Sequence, residues 1–410
     1  MDKKKKLWKH PFGYKEGFII VLLVLFAGFI VEWIIKSPVG LPGWPINLII
    51  LAIFVGYLLV VQLFIKHPFI KWLSTPKAGI SAISVFTVLV LLMGFIPQNN
   101  NNSSALVHFL GLDHVTNSWG YFLVSIYLMI ILGLTTIRRI YPFSVKNFAF
   151  FLNHGGLWIV IAAASLGSSD LWRLSLPIEE NEVSFTVYDQ NKQAYQLPFA
   201  VKLMDFDIDV YPPRVGMMKN TDGRLLMEKD ENLIDAEEGN EGTLNDYEIH
   251  IVKYIEDAVY TEDSYTLSEE TGASPAAFVI VIDPTKNDTV FGWVSCGSFA
   301  MRSRFLPVNQ EYSIAMLEPT PDKYSSVLRF YYDMQNYEEV KLEVNKPYSF
   351  MGWEVYQVGY NEEMGKWSNL SVLEFVKDPW LPFVYAGIFM MLLGSLYLVW
   401  MGRSTKYTKK

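Results

Sequence analysis

The sequence predicts a polytopic α-helical membrane protein with six transmembrane helices and a large extracytoplasmic, mainly antiparallel β domain of sandwich-like form. Three observations carry that prediction. Apolar residues, 51% of the chain, gather into six runs near 17–36, 45–65, 79–97, 119–137, 148–167 and 381–402. Each run is about 18 residues or longer, enough to span a bilayer core. Lys and Arg crowd alternate connections between the runs. Between the fifth and sixth runs the pattern changes to the apolar–polar alternation of strands.

Run one follows Lys3, Lys4, Lys5, Lys6, Lys9 and Lys15. It is too long for a signal-peptide core, and no small-residue cleavage site separates it from run two, so it is expected to stay as a helix. The connections 37–44 and 98–118 contain no Lys or Arg; only Lys36, at the end of run one, could snorkel on that side. The opposite connections carry Lys66, Lys71 and Lys77, then Arg138, Arg139 and Lys146, and the tail carries Arg403, Lys406, Lys409 and Lys410. The positive-inside rule then places both termini in the cytoplasm and residues 168–380 outside, as in a multi-pass protein of an inner (cytoplasmic) membrane with a periplasmic domain. The expected organisation is a tail with two helices (1–78), three helices (79–167), the acidic β domain (168–380), and a last helix with a basic tail (381–410).

Charge is segregated between these parts. Residues 168–378 hold 38 of the 42 Asp and Glu but 17 of the 34 Lys and Arg, a net −21, which leaves +13 on the remainder. An acidic outer domain and a basic inner face give nucleic acid nothing to bind. Cys296 is the sole cysteine. An internal disulfide, a Cys-x-x-Cys redox pair, a Cys-x-x-Cys-His haem attachment site and a Cys-rich zinc site are all excluded.

Within the outer domain, Val183–Tyr188, Tyr247–Tyr254, Ala277–Ile282 and Thr289–Val294 are rich in β-branched and aromatic residues and read as strands. Asp283-Pro284 and Thr221-Asp222-Gly223 are turn signals between them. Residues 221–246 are acidic and poor in aromatics, which predicts a long loop. No internal repeat is visible. The domain is large enough for its own core, and a membrane helix on each side is expected to hold it at the outer surface.

The histidines offer the main candidates for chemistry. His154 lies in Phe151-Leu152-Asn153-His154-Gly155-Gly156-Leu157-Trp158, about 12 Å along the fifth helix from Lys146 at ~1.5 Å per residue. An ionisable group at that depth is costly and faces the bundle interior, either as a functional group or as a neutral histidine bonded between helices; both readings stand. Gly155 and Gly156 leave room for another helix or a flat ligand. His108 and His114, six apart, do not share a helical face and read as two exposed loop histidines. His67 sits at an interface, and His10 and His250 have no constellation around them. Glu32 invites a proton-relay reading, but its nearness to Lys36 predicts snorkelling or simple pairing. Trp33, Trp44, Trp72, Trp119, Trp380 and Trp400 fall at predicted interfaces and read as aromatic anchors. No Ser/His/Asp set, phosphate loop or pair of catalytic carboxylates can be assembled.

Several separated stretches, in order, resemble the ResB (CcsB) family of system II cytochrome c biogenesis proteins. They are Gly94-Phe95-Ile96-Pro97-Gln98; Leu110-Gly111-Leu112-Asp113-His114-Val115 with Asn117–Phe122; Asn153-His154-Gly155-Gly156-Leu157; Val344–Gln357; and Asp378–Gly387. They cover residues 79–402, the middle of the outer domain matching only in character. Runs one and two look like an addition to the family's four-helix core, and Gly155-Gly156 stands where the family has Leu-Gly.

The resemblance implies a membrane subunit that acts with a tryptophan-rich CcsA-type partner. Together they would carry haem b outward and present it for thioether attachment to apocytochrome c. No Trp-Trp-Asp-like segment occurs in this chain, so it would be one half of a synthase, with no catalytic residue of its own. By that analogy His154 is an axial ligand to transient, non-covalently held haem, its only metal contact being the haem iron. His108 and His114 are secondary candidates for the same cofactor. The alternative is a membrane scaffold that ligates no haem and whose outer domain docks the partner or the apocytochrome. A small-solute transporter lacks paired intramembrane charges, and a sensor lacks a cytoplasmic signalling domain.

Overall fold

The computed structural model describes residues 8, 10–98, 103–141, 144, 147–226, 233–286 and 288–402. The charged tails at 1–7 and 403–410, with Lys9, Asn99–Asn102 and Lys146, lie outside the described residues. The chain forms two compact units: residues 1–171 with 378–410, and residues 172–377.

The first unit is helical: α1 Tyr14–Ile35, α2 Ile46–Leu63, α3 Pro68–Leu73, α4 Pro76–Phe95, α5 Ala105–Phe109, α6 Trp119–Ile140, α7 Phe148–Gly167 and α8 Leu381–Gly402. The six long ones coincide with the six apolar runs and are long and apolar enough to cross a membrane. Their boundaries follow local chemistry. Proline opens α3 and α4, where its missing N–H would be unpaired anyway. Ser118 Oγ accepts from Tyr121 N–H at the start of α6. The Asp378 carboxylate accepts from Trp380 and Leu381 N–H at the start of α8.

Helices meet where side chains are small. A Cβ on Gly28 of α1 would lie 2.5 Å from the Gly120 Cα of α6. On α8, a Cβ at Gly387 would lie 2.7 Å from the Gly156 carbonyl oxygen and 2.7 Å from Val160 Cγ2. A Cβ at Gly394 would lie 2.5 Å from Asn153 Nδ2 and 3.0 Å from the Ala149 carbonyl oxygen. The room left by Gly156 is thus taken by a helix. Asn153 adds a polar link, its Oδ1 accepting from Ser395 Oγ at 2.9 Å.

Asp170, just past α7, ties three segments of this unit. It accepts from Trp44 N–H at 2.7 Å, Asn47 Nδ2 at 2.6 Å and Trp380 Nε1 at 2.7 Å. Partial burial alone would raise its pKa; these three donors outweigh that and hold it below the usual carboxylate value. Two tryptophans therefore depart from the anchor reading. Trp380 is buried in this bonded position, and Trp72 packs against Phe12 and Phe69 in the core. Trp33, Trp44 and Trp400 are exposed.

The second unit has seventeen strands among the described residues: β1 Trp172–Glu179, β2 Val183–Tyr188, β3 Ala194–Val210, β4 Arg214–Lys219, β5 Ile234–Asp235, β6 Glu241–Leu244, β7 Tyr247–Thr261, β8 Ser264–Leu267, β9 Ser274–Asp283, β10 Asp288–Ser295, β11 Leu306–Pro307, β12 Tyr312–Met316, β13 Pro321–Tyr331, β14 Tyr337–Glu343, β15 Tyr348–Phe350, β16 Trp353–Tyr360 and β17 Leu370–Lys377. Pairing between them is antiparallel, in three sheets. Two sheets, β10-β9-β7-β6 with β8 and β11-β12-β4-β5, face each other across Met217, Ile314, Ile249, Val279 and Val281, as the sandwich reading expects.

The third sheet, β14-β13-β3-β2-β1-β17-β16-β15, instead curls into a nearly closed barrel. Register shifts in β2–β3, β3–β13 and β16–β17 supply the bends that a flat sheet lacks. Its edges are joined by the Tyr348 hydroxyl of β15, which donates to Glu338 of β14. The Tyr332 hydroxyl donates to the same carboxylate, and Phe330 of β13 packs against Phe350 of β15, 5.1 Å between ring centroids. Inside, Ser326, Gln357 and Ser371 are buried and satisfy one another through bonds of 2.6–3.1 Å. The ends of the domain lie side by side in this sheet, Trp172 opposite Lys377.

The stretch 221–246 is not one long loop. It contains β5, paired with β4, and β6, paired with β7. Asn245 and Asp246 both take positive φ, 46° and 71°, the tight hairpin geometry that Asn and Asp tolerate; residues 227–232 lie outside the described set.

Replacing Gly387 by Val forces overlap with the Gly156 carbonyl. It is expected to lower stability by about 1–3 kcal/mol, read as a lower unfolding temperature in detergent, whereas Gly56→Ala, with nothing within 4 Å of its Cβ, leaves the melt unchanged.

Candidate functional site

α4, α6 and α7, with Met391 of α8, line a half-open cavity of about 780 Å³. Its walls are mostly apolar: Ile80, Ile83, Leu128, Ile131, Leu132 and Leu157. Polar groups are few: Arg138 and Arg139 at the end of α6, Ser74, Thr75 and Thr135, and Asn153 with His154 on α7. Arg138 is held in place, donating to Ser74 Oγ at 2.9 Å and the Lys71 carbonyl at 3.3 Å.

His154 is half-buried in this wall. Its Nδ1 lies 3.1 Å from the Phe150 carbonyl oxygen one turn earlier. A carbonyl can only accept, so Nδ1 carries the hydrogen and a neutral ring keeps its lone pair on Nε2. Among the described residues Nε2 has no hydrogen-bond partner. The ring also stacks on Phe150, 3.7 Å between centroids, and the Arg139 guanidinium covers the same phenyl ring at 4.1 Å. The histidine bond is thus within its own helix, not between helices. What results is a fixed imidazole with one available ligand atom, beside two guanidiniums in an otherwise greasy chamber. Such a chamber suits an apolar ligand that carries carboxylates.

The loop between α4 and α6 corrects the reading of His108 and His114 as two independent, exposed histidines. α5 ends at Phe109, and the chain turns through Gly111 at φ +63°, a position where a Cβ would meet Ser118 at 2.7 Å. The turn brings His108 and His114 onto one carboxylate: Asp113 lies 2.9 Å from His108 Nδ1 and 2.6 Å from His114 Nδ1. His108 is exposed (74%), but His114 (20%) and Asp113 (7%) are largely covered.

Glu32 does not pair with Lys36. It is buried at the end of α1, where Oε1 lies 3.0 Å from His114 Nε2 and Oε2 accepts from Trp119 N–H at 2.7 Å. The first helix therefore contributes to this cluster, although it lies outside the stretches that carry the family resemblance. Gln98 fixes the loop from the other side, donating to the Leu112 carbonyl at 3.1 Å and accepting from Val115 N–H at 3.0 Å. Asp113 and Gln98 stand in the stretches that carry the family resemblance but were not proposed as site residues; their place in those stretches was the available signal.

Electrostatics follow the contacts. Burial would raise Asp113, but the hydrogen bonds from His108 and His114 and the charge of His114 hold it below the carboxylate norm. Burial would lower His114, but Glu32 and Asp113 outweigh that and raise it above 6.5. In the β unit, burial, with the charge of Glu318, pushes the Cys296 thiol up to about 12, so no thiolate chemistry is available at neutral pH.

Compared with known families and with characterised proteins, the chain matches no family model and no characterised sequence.

Because the folded state binds the His114 proton more tightly than the unfolded one, this contribution to stability is complete below pH about 6.5 and is lost as pH rises through the higher folded value. Melts in EDTA-containing detergent buffer between pH 6 and 9 should show that decline in the wild type and a flatter profile in His114→Gln.

Proposed function

We propose that this chain is the ResB-like subunit of a system II cytochrome c assembly, acting in the membrane with a tryptophan-rich CcsA-type partner and serving apocytochrome c as client. The observation that carries the proposal is His154: its Nδ1 is committed to Phe150 and its Nε2 is left with a lone pair, in the wall of a cavity of about 780 Å³ beside Arg138 and Arg139.

Haem b is the cargo. His154 Nε2 supplies one axial ligand, and Arg138 and Arg139 pair with the propionates, whose charge an apolar chamber would otherwise exclude. One imidazole fills one face of the iron, so the second ligand comes from the partner. With the basic connections in the cytoplasm, this chamber lies toward the inner face, where haem would be collected, and the acidic domain lies outside, where a basic client would be steered. The chain itself provides binding and orientation and no bond-making group.

Haem content of the affinity-purified complex, co-expressed with a CcsA-type protein, tests this. His154→Ala should lose most of the bound haem, and His154→Gly should regain it when imidazole is supplied. Unchanged haem content and an unchanged spectrum in His154→Ala would remove the assignment and leave the scaffold reading, in which the complex assembles without this ligand.

A further inference from the structure

We propose that His108, Asp113 and His114 form a binding site for a divalent transition-metal ion of the Zn²⁺ type, a site separate from the haem chamber and independent of the haem reading. His114 is gripped by two carboxylates, with Asp113 Oδ1 2.6 Å from Nδ1 and Glu32 Oε1 3.0 Å from Nε2. A neutral imidazole has one N–H and can donate to only one of them. The other contact then sets a ring lone pair against a carboxylate lone pair unless a cation stands between them. A proton is one such cation; a metal ion is the other.

His108 is what makes this more than an ion pair. Its own Nδ1 points at the same carboxylate at 2.9 Å, and the two imidazole rings lie 5.7 Å apart. Three ligand atoms therefore converge, all within 4.8 Å of one another. Bonds of about 2.1 Å at a tetrahedral centre place ligand atoms ~3.4 Å apart, so small side-chain rotations convert the cluster into a chelate. Two imidazoles and one carboxylate suit a borderline ion such as Zn²⁺ or Co²⁺, and not Mg²⁺ or Ca²⁺, which take oxygen ligands.

The surroundings are those of a built site. Glu32 stands behind His114 as the outer carboxylate that orients a metal-binding imidazole. Gln98, Gly111 and the Ser118 bond to the Val115 carbonyl at 2.9 Å hold the loop in shape. The exposed ring of His108 leaves an open side for water as a further ligand.

The test uses the untagged full-length chain in detergent, without haem or partner, stripped with EDTA and then dialysed against Zn²⁺. Bound metal is measured by mass spectrometry, and Co²⁺ loading is followed by its visible d–d bands. One-to-one binding is expected. His108→Ala, an exposed change that leaves the fold intact by circular dichroism, should abolish it. Glu32→Gln should weaken it about 10–100-fold, while His154→Ala and His250→Ala bind as the wild type does. Equal Zn²⁺ uptake by wild type and His108→Ala, or displacement of Zn²⁺ by millimolar Mg²⁺, would overturn the assignment.

Discussion

A polar atom set among six helices long and apolar enough to cross a membrane finds few partners outside the protein. Nearly every specific feature of the helical unit answers to that constraint. Asn47 is fully buried and spends its amide on the Leu166 carbonyl and on Asp170. Asn153 bonds Ala149 within its own helix and Ser395 on α8. Glu32 gathers His114 and the first amide of α6. Each of these side chains joins segments far apart in sequence, so the demand for partners fixes how the helices are arranged as well as satisfying the atoms. Not every polar atom succeeds: Gln62 Oε1, Trp72 Nε1 and Tyr127 OH are buried without a hydrogen-bond partner among the described residues, and His154 has one ring nitrogen satisfied and the other not.

The second requirement is close approach, which side-chain size controls. Gly156 and Gly387 let α7 and α8 touch backbone to backbone, and Gly28 and Gly120 do the same for α1 and α6. Larger residues elsewhere keep helices apart, and the cavity beside His154 lies where α4, α6 and α7 converge with bulky, apolar walls. Close packing on the glycine side of α7 and an open chamber lined by Phe150, Asn153, His154 and Leu157 are thus properties of the same helix.

What could be read from sequence was what local chemistry determines. The six spans were plain because crossing a bilayer needs only length and apolarity. Strands β2, β7, β9 and β10 were plain because alternation is local too. The hairpin at Asn245-Asp246 was missed because acidic composition masked a two-residue turn. Barrel closure was missed because it depends on β-bulges and on Phe330 meeting Phe350, twenty residues away in sequence. The carboxylate–histidine cluster was missed for the same reason: a spacing of six excludes a shared helical face but says nothing about a turn through Gly111, and Glu32 lies 82 positions from His114.

The stretches that carry the family resemblance turn out to act on one another. Gln98, which ends the first, bonds Leu112 and Val115 of the second. Asn153 of the third reaches Ser395, about two helical turns beyond the last, and Trp380 of the last reaches Asp170. Most of these residues are therefore clamps of the helical unit, and a clamp recurs wherever the same bundle is built, whatever the bundle carries. His154 is different in kind. Replacing its ring would break a hydrogen bond and a stacking contact to Phe150, both within its own helix, so the imidazole ties no second helix in place. An imidazole in an apolar helix costs stability, and this one sits in a cavity wall with Arg138 and Arg139, which is the ground on which the proposed ligand rests.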